Sequence, residues 1–296
     1  MDERLQAHLD VAAIPDDEFA ALAFKLALRR EPEPEARERL LAKLGDRTLS
    51  RASLLQELVG SDEFERVRTF DDAVAHGEWA WRRRERPREL RAPAWDDGRV
   101  IEIPWVIGRY RGERRVLETG YAYAEAPYVT ALVALGAADL VGVDLAEREV
   151  PGLTSVVADL RELPLPDASF ELALCVSTLE HVGMDTSMYG HGGERDERGM
   201  EKALRELRRV LRPDGRLLIT LPLGERRDLG WYVQLELSDW HALFHACGFA
   251  VFEEEGYRLD ETGWYAVPLP AGDLLCAELR PRRVADRLRR RLAGRS

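Results

Sequence analysis

The stretch VLETGYAYAE, residues 116–125, is spaced like a cofactor-binding turn between a strand and a helix, yet its tip keeps only Gly120. Such turns need small residues so that ligand can approach the backbone. A G-x-G-x-x-G fingerprint laid from Gly120 would require glycine at Ala122 and Glu125. Glu125 would instead set a negative charge at the helix N-terminus, where a pyrophosphate would have to sit. A nicotinamide oxidoreductase is therefore disfavoured, and the turn either serves another cofactor or is ordinary structure.

The elements around this turn favour a working site. From Arg114, short apolar runs alternate with helical ones: RRVLET, APYVTALVALG, DLVGVDL, LTSVVADL, FELALCVST, MEKALRELRRVLRPDG and RLLITLP. That alternation implies βαβ units and a parallel sheet. Ser238 is the expected N-cap of a helix DWHALFHACG, followed by late strands in FAVFEEEGYRL and GDLLCAELR. Residues 1–76 read as helices, with Ser50 as an N-cap and Gly45 as a stop. Residues 77–113 are basic, punctuated by proline and rich in Trp, and read as a linker and lead-in segment. Residues 114–279 would form the α/β domain, and 280–296 a basic C-terminal tail.

Composition narrows the function classes. The chain has 296 residues, 43 basic and 54 acidic, a net charge of -11. The last 17 residues hold eight arginines and one aspartate, which leaves 35 basic and 53 acidic residues, or -18, for the body. An acidic body is a poor nucleic-acid surface, so no nucleic-acid partner is expected. The arginine tail, with Val284, Leu288 and Leu292 every four residues, could self-dock or touch an anionic membrane. The start MDERLQAHLD is acidic and polar, unlike a signal peptide, so a cytoplasmic location is expected, with peripheral contact at the inner face of the membrane. Cys175, Cys247 and Cys276 form no C-x-x-C pair and read as reduced, buried thiols.

The ordered motifs of residues 114–250 resemble the class I S-adenosylmethionine-dependent methyltransferases. Their strand ending V-L-D-x-G-x-G-x-G is matched with Glu118 at the acidic position, Gly120 at the first glycine, and Ala122 and Ala124 at the other two. The resemblance implies a Rossmann-like, doubly wound, mostly parallel seven-stranded sheet behind a small all-α domain. S-adenosylmethionine carries no phosphate, so losing two glycines is tolerable. The implied cofactor residues are Glu118, Gly120, Tyr121, Ala122, Asp144, Leu145, Asp159, Leu160 and Ser177. Among these, Asp144 would bind the ribose hydroxyls, and Asp159 with Leu160 would read the adenine. Glu118 and Glu171 stand where aspartate is usual, and a catalytically inactive cofactor-binding scaffold is an open alternative.

Methyl transfer to a hydroxyl calls for a base near the end of the fourth strand, where STLEHVG places Ser177, Glu180 and His181. His181 is the candidate catalytic base, or else a residue that packs or orients the loop. Glu180, Tyr189, His191 and Trp231 are candidate substrate residues; Asp185 could also touch an acceptor, and Tyr232 and Trp264 could serve as aromatic platforms. Glu180, His181, Asp185 and His191 match no metal-ligand spacing template, so no metal is expected. The run from STLEHVG to the PLGE and GW segments is also similar to methyltransferases of bacterial cell-surface glycan clusters. The pattern LSRASLLQELVGSDEF resembles a helical domain found ahead of glycan-modifying enzymes, which implies a protein-docking role. Together they point to O-methylation of a saccharide hydroxyl on a surface glycan or glycolipid precursor. A small-molecule methyltransferase of secondary metabolism would share every cofactor motif.

Overall fold

The computed structural model describes residues 14–187, 190 and 195–282. Tyr189, His191 and the arginine tail from residue 283 lie outside the described residues, so the roles expected of them are not placed. The chain forms two compact units, Met1–Asp72 and Ala73–Ser296.

The first unit contains α1 (Asp16–Leu28), α2 (Pro34–Gly45), α3 (Arg51–Val59) and the start of α4 (Asp62–Arg83). Phe19, Ala23, Phe24 and Leu28 of α1 bury against Leu44, Leu54 and Leu58. Pro34 opens α2 at its first turn, where a missing N–H costs nothing. Ser50 caps α3 by accepting the Ser53 amide at 3.0 Å, as its position suggests.

The second unit departs from the sequence reading at once. α4 continues as helix to Arg83, and α5 (Arg99–Ile107) is a helix whose residues 100–107 are all buried. Of the segment expected to be linker and lead-in, residues 77–83 and 99–107 are helical; the apolar lead-in is buried, whereas residues 82–86 between the helices are exposed. The loop expected from the Trp and Pro content of EWAWRRRERPRELRAPAW begins only after Arg83, and burial on every side of RVIEIPWVI leaves no period to mark its helix. Gly77 of α4 lets the two helices meet, since a Cβ there would lie 2.9 Å from Pro104 Cα and Ile107 Cβ.

The strands are β1 (Arg115–Thr119), β2 (Asp139–Asp144), β3 (Thr154–Val157), β4 (Phe170–Val176), β5 (Leu211–Pro222), β8 (Phe249–Asp260), β9 (Gly263–Val267) and β10 (Leu274–Pro281). They form one sheet in the order β3-β2-β1-β4-β5-β10-β8-β9, parallel from β3 to β5. β10 runs antiparallel between β5 and β8. The sheet has eight strands and not seven, because GWYAV adds β9 as an antiparallel edge on β8. A small hairpin, β6 (Arg227–Asp228) with β7 (Val233–Gln234), stands apart. Helices α6 (Ala126–Ala134), α7 (Gly199–Val210) and α8 (Leu237–Ala246) complete the unit. Ser238 lies inside α8 and not at its cap, which falls at Glu236 without a side-chain bond. All three cysteines are free and buried, and burial pushes the Cys175 thiol up to about 12. No helix among the described residues is long and apolar enough to cross a membrane.

Candidate active site

The strand order reverses between β1 and β4, and a cavity of about 680 Å³ opens at the carboxyl ends of β1, β2 and β4. This is where open α/β sheets bind ligands. Gly120, Asp144, Leu145, Asp159, Leu160, Ser177 and His181 line it, as does Glu118. Residues from four separate motifs thus reach one cavity.

Gly120 has φ +84°, and a Cβ on it would fall 2.5 Å from Thr178 Oγ1. Glycine is required at this position for both reasons. The next two residues act differently from expectation. Tyr121 is fully buried and turns its ring beneath β2, where its hydroxyl bonds Ser155 Oγ and the Arg148 carbonyl. It does not line the cavity. Its motif position fits a loop residue, but an aromatic ring beside Gly142 fills the sheet face, where that glycine makes room. Ala122 contributes its backbone, donating its amide to Asp144 Oδ2 at 2.9 Å. Asp144 also accepts the Ala146 amide at 3.2 Å. Each carboxylate oxygen keeps lone-pair capacity for a ligand hydroxyl.

Glu118 is buried at the end of β1 and accepts the Tyr128 hydroxyl at 3.0 Å. Burial drives its carboxyl well above the usual range, with the negative charge of Asp144 adding to the effect. Asp159 is engaged by Arg161 through Nε and Nη2, and Arg161 also reaches Asp196 at 3.2 Å. Burial works against its charge, but Arg161 holds the Asp159 carboxyl below the usual range.

At the other side, a 3-10 turn (Leu179–His181) carries the histidine. His181 Nδ1 lies 2.8 Å from the Trp231 carbonyl, and its ring stacks on the Trp231 indole at 5.0 Å. A carbonyl can only accept, so Nδ1 carries the proton and Nε2 is the basic nitrogen of the neutral ring. Burial, aided by the positive charge of Arg99, lowers the His181 pKa and favours that neutral form. Tyr232 completes the aromatic group, 4.6 Å from Trp231. Trp231 is 38% exposed and does not line the cavity itself. Glu180 is only 3% exposed and also lies outside the cavity lining. The expectation that it meets substrate is therefore corrected: Glu180 is the middle residue of the 3-10 turn, on its inward side. Trp264 packs in β9, its Nε1 donating to the Asp96 carbonyl at 2.9 Å, and offers no platform. Among the described residues, no group of three or more His, Cys, Asp or Glu side chains could hold a metal ion.

Sequence reading missed the contribution of α5. Arg99 and Ile103 line the cavity, and Glu102 hydrogen-bonds Ser177. Tyr123 and Tyr128 line it as well. The signal for Arg99 and Glu102 was present only as charged residues interrupting an apolar run.

Residues 124–219 match the family of methyltransferase domains. The chain carries a class I S-adenosylmethionine-dependent methyltransferase domain. The enzyme's cofactor is S-adenosylmethionine. Among solved structures, the chain is similar to the PH0226 protein of Pyrococcus horikoshii at 15% identity, covering 62% of this chain and 90% of that one, with a TM-score of 0.44. It is similar at 18% identity to the Burkholderia thailandensis 1,6-didemethyltoxoflavin-N1-methyltransferase, covering 73% of this chain and 85% of that one, TM-score 0.43. A methyltransferase from Methanosarcina mazei shares 14% identity over 60% of this chain and 96% of its own, TM-score 0.44. No curated protein matches the chain. The methyltransferase's cavity residues fit the cofactor: a carboxylate with spare acceptor capacity ends β2, a glycine no Cβ could replace ends β1, and the buried Glu118 faces the same cavity.

Proposed function

We propose that the enzyme methylates a saccharide hydroxyl of a cell-surface glycan or glycolipid precursor, with His181 as general base. The bound cofactor supplies an electrophilic methyl on a sulfonium, and the chain supplies position and proton acceptance. Asp144 would hold the ribose hydroxyls, Leu145 and Leu160 the adenine with Asp159 beside it, and Arg99 the amino-acid carboxylate. The observation that carries the acceptor chemistry is the Nδ1 contact to the Trp231 carbonyl at 2.8 Å, which dedicates Nε2 to accepting a proton. A hydroxyl acceptor needs such a base, whereas a stable carbanion or a neutral amine needs it less. His181 stacked on Trp231, with Tyr232 edge-on to the indole, gives an apolar edge of the kind that packs on sugar faces. The saccharide class itself rests on the sequence resemblance to glycan-cluster methyltransferases. The N-terminal helices are proposed as a docking module for a protein partner.

Incubation with isotope-labelled S-adenosylmethionine and a panel of surface-glycan precursors, read as a mass shift, tests the acceptor class. A methyl appearing on glycan hydroxyls is the expected result. Labelling confined to non-saccharide small molecules would move the assignment to secondary metabolism.

A further inference from the structure

Ser177 has φ +41°, a left-handed conformation in which a side chain other than glycine is strained. It is the one such non-glycine residue among the described residues that lines the cavity. Two bonds hold it there. Its amide donates to Thr220 Oγ1 at 3.0 Å, and its hydroxyl donates to Glu102 Oε1 at 2.5 Å. Glu102 is 1% exposed, and its second oxygen has no hydrogen-bond partner, with Arg99 Nε 3.7 Å away. The serine proton is thus committed inward to α5.

The turn that Ser177 begins has two further occupants of the site. Thr178 donates to the carbonyls of Thr119 and Val176, at 3.2 and 2.8 Å, and lies against Gly120. His181 follows on the 3-10 turn. A shift at Ser177 would therefore move the floor of the cofactor turn and the histidine together.

We infer that Glu102 is a positioning residue: it tethers Ser177 in its left-handed conformation and so sets the β4 turn against the cofactor loop. The tether comes from outside residues 124–219, so the methyltransferase domain is completed by the helix that precedes it. The inference rests on the cofactor assignment and is independent of the acceptor and of His181 acting as a base.

Calorimetric titration of the full chain with S-adenosylmethionine tests it. Ser177→Ala removes the hydroxyl but keeps the strain, and should weaken binding roughly tenfold. Ser177→Gly removes both, and should stay within about threefold of wild type. Glu102→Leu should cost roughly tenfold with Ser177 present and less than about threefold in the Ser177→Gly background. Glu102→Gln, whose amide oxygen accepts the same bond, should bind like wild type. Equal losses from Glu102→Leu in both backgrounds would overturn the tether in favour of packing or charge. Near-wild-type affinity for Ser177→Ala would overturn it too, and that variant serves if Glu102→Leu no longer melts cooperatively. If wild type itself binds no S-adenosylmethionine, the cofactor reading fails, which is a separate result.

Discussion

The two sides of the cavity are built by different means. On the cofactor side, strand ends carry the polar groups, and backbone amides already hold them: Asp144 is fixed by the Ala122 and Ala146 amides. On the acceptor side, His181 rides on a single 3-10 turn and is braced by aromatic rings from the segment between β6 and β7. A strand end is positioned by the sheet and tolerates little change of ligand. A turn braced by loop rings can be rebuilt without disturbing the sheet. The first side suits an invariant cofactor, the second an acceptor that defines the individual enzyme.

The largest effect should come from His181→Ala, which should lower turnover roughly 10²- to 10⁴-fold while leaving S-adenosylmethionine affinity near wild type. Loss of cofactor binding in that variant would show that the two sides are one mechanical unit. Asp144→Ala should have the opposite signature, weakening cofactor binding about tenfold or more, as calorimetry would read. Trp231→Ala should raise the acceptor KM by roughly three- to tenfold through lost ring stacking, with the cofactor KM unchanged. A change in both would mean the aromatic brace supports the cofactor side as well.

Two smaller effects concern pH. Because the His181 pKa is lowered, kcat/KM should rise with pH through an inflection below the usual imidazole value of about 6.5 and then plateau. An inflection above that value would place another group in the role. Glu180 is pushed by burial up to about 8 from an ordinary 4.5. The folded chain thus binds this proton more tightly than the unfolded chain does. The stabilisation is fully present below the unfolded value and is lost as pH rises through the folded one. Glu180→Gln stays neutral throughout, so its melting temperature should exceed wild type near about pH 9 and match it near about pH 5. A constant offset at both values would assign Glu180 a packing role only.

The strands on the cofactor side were legible in the sequence, because strands of a buried parallel sheet read as short continuous apolar runs. Val116 to Thr119 and Leu140 to Asp144 announce both their strands and their ends. Gly120 and Asp144 were placed by the resemblance to the class I methyltransferase motifs, and both line the cavity. Tyr121 could not be placed that way, because nothing in the turn tells whether a ring faces ligand or packs under the sheet. Glu180 and His181 are adjacent, and only the 3-10 turn decides which one lines the cavity. Helix α5 was hidden for the opposite reason: it is apolar on every face, so no period marks it. Strand β9 was missed because a five-residue edge that starts on glycine and carries a half-buried tyrosine resembles a loop.

That last strand bears on how the protein is made. Ala92 forms an antiparallel bridge with Trp264 of β9, whose indole also holds the Asp96 carbonyl. The chain leading into α5 is therefore clasped by residues synthesised much later. At ordinary elongation rates of about 5–20 residues per second, the ribosome holds an uncovered apolar helix for on the order of ten seconds. Throughout that interval the sheet that buries α5 is unfinished, and the exposed apolar surface of the nascent segment favours aggregation.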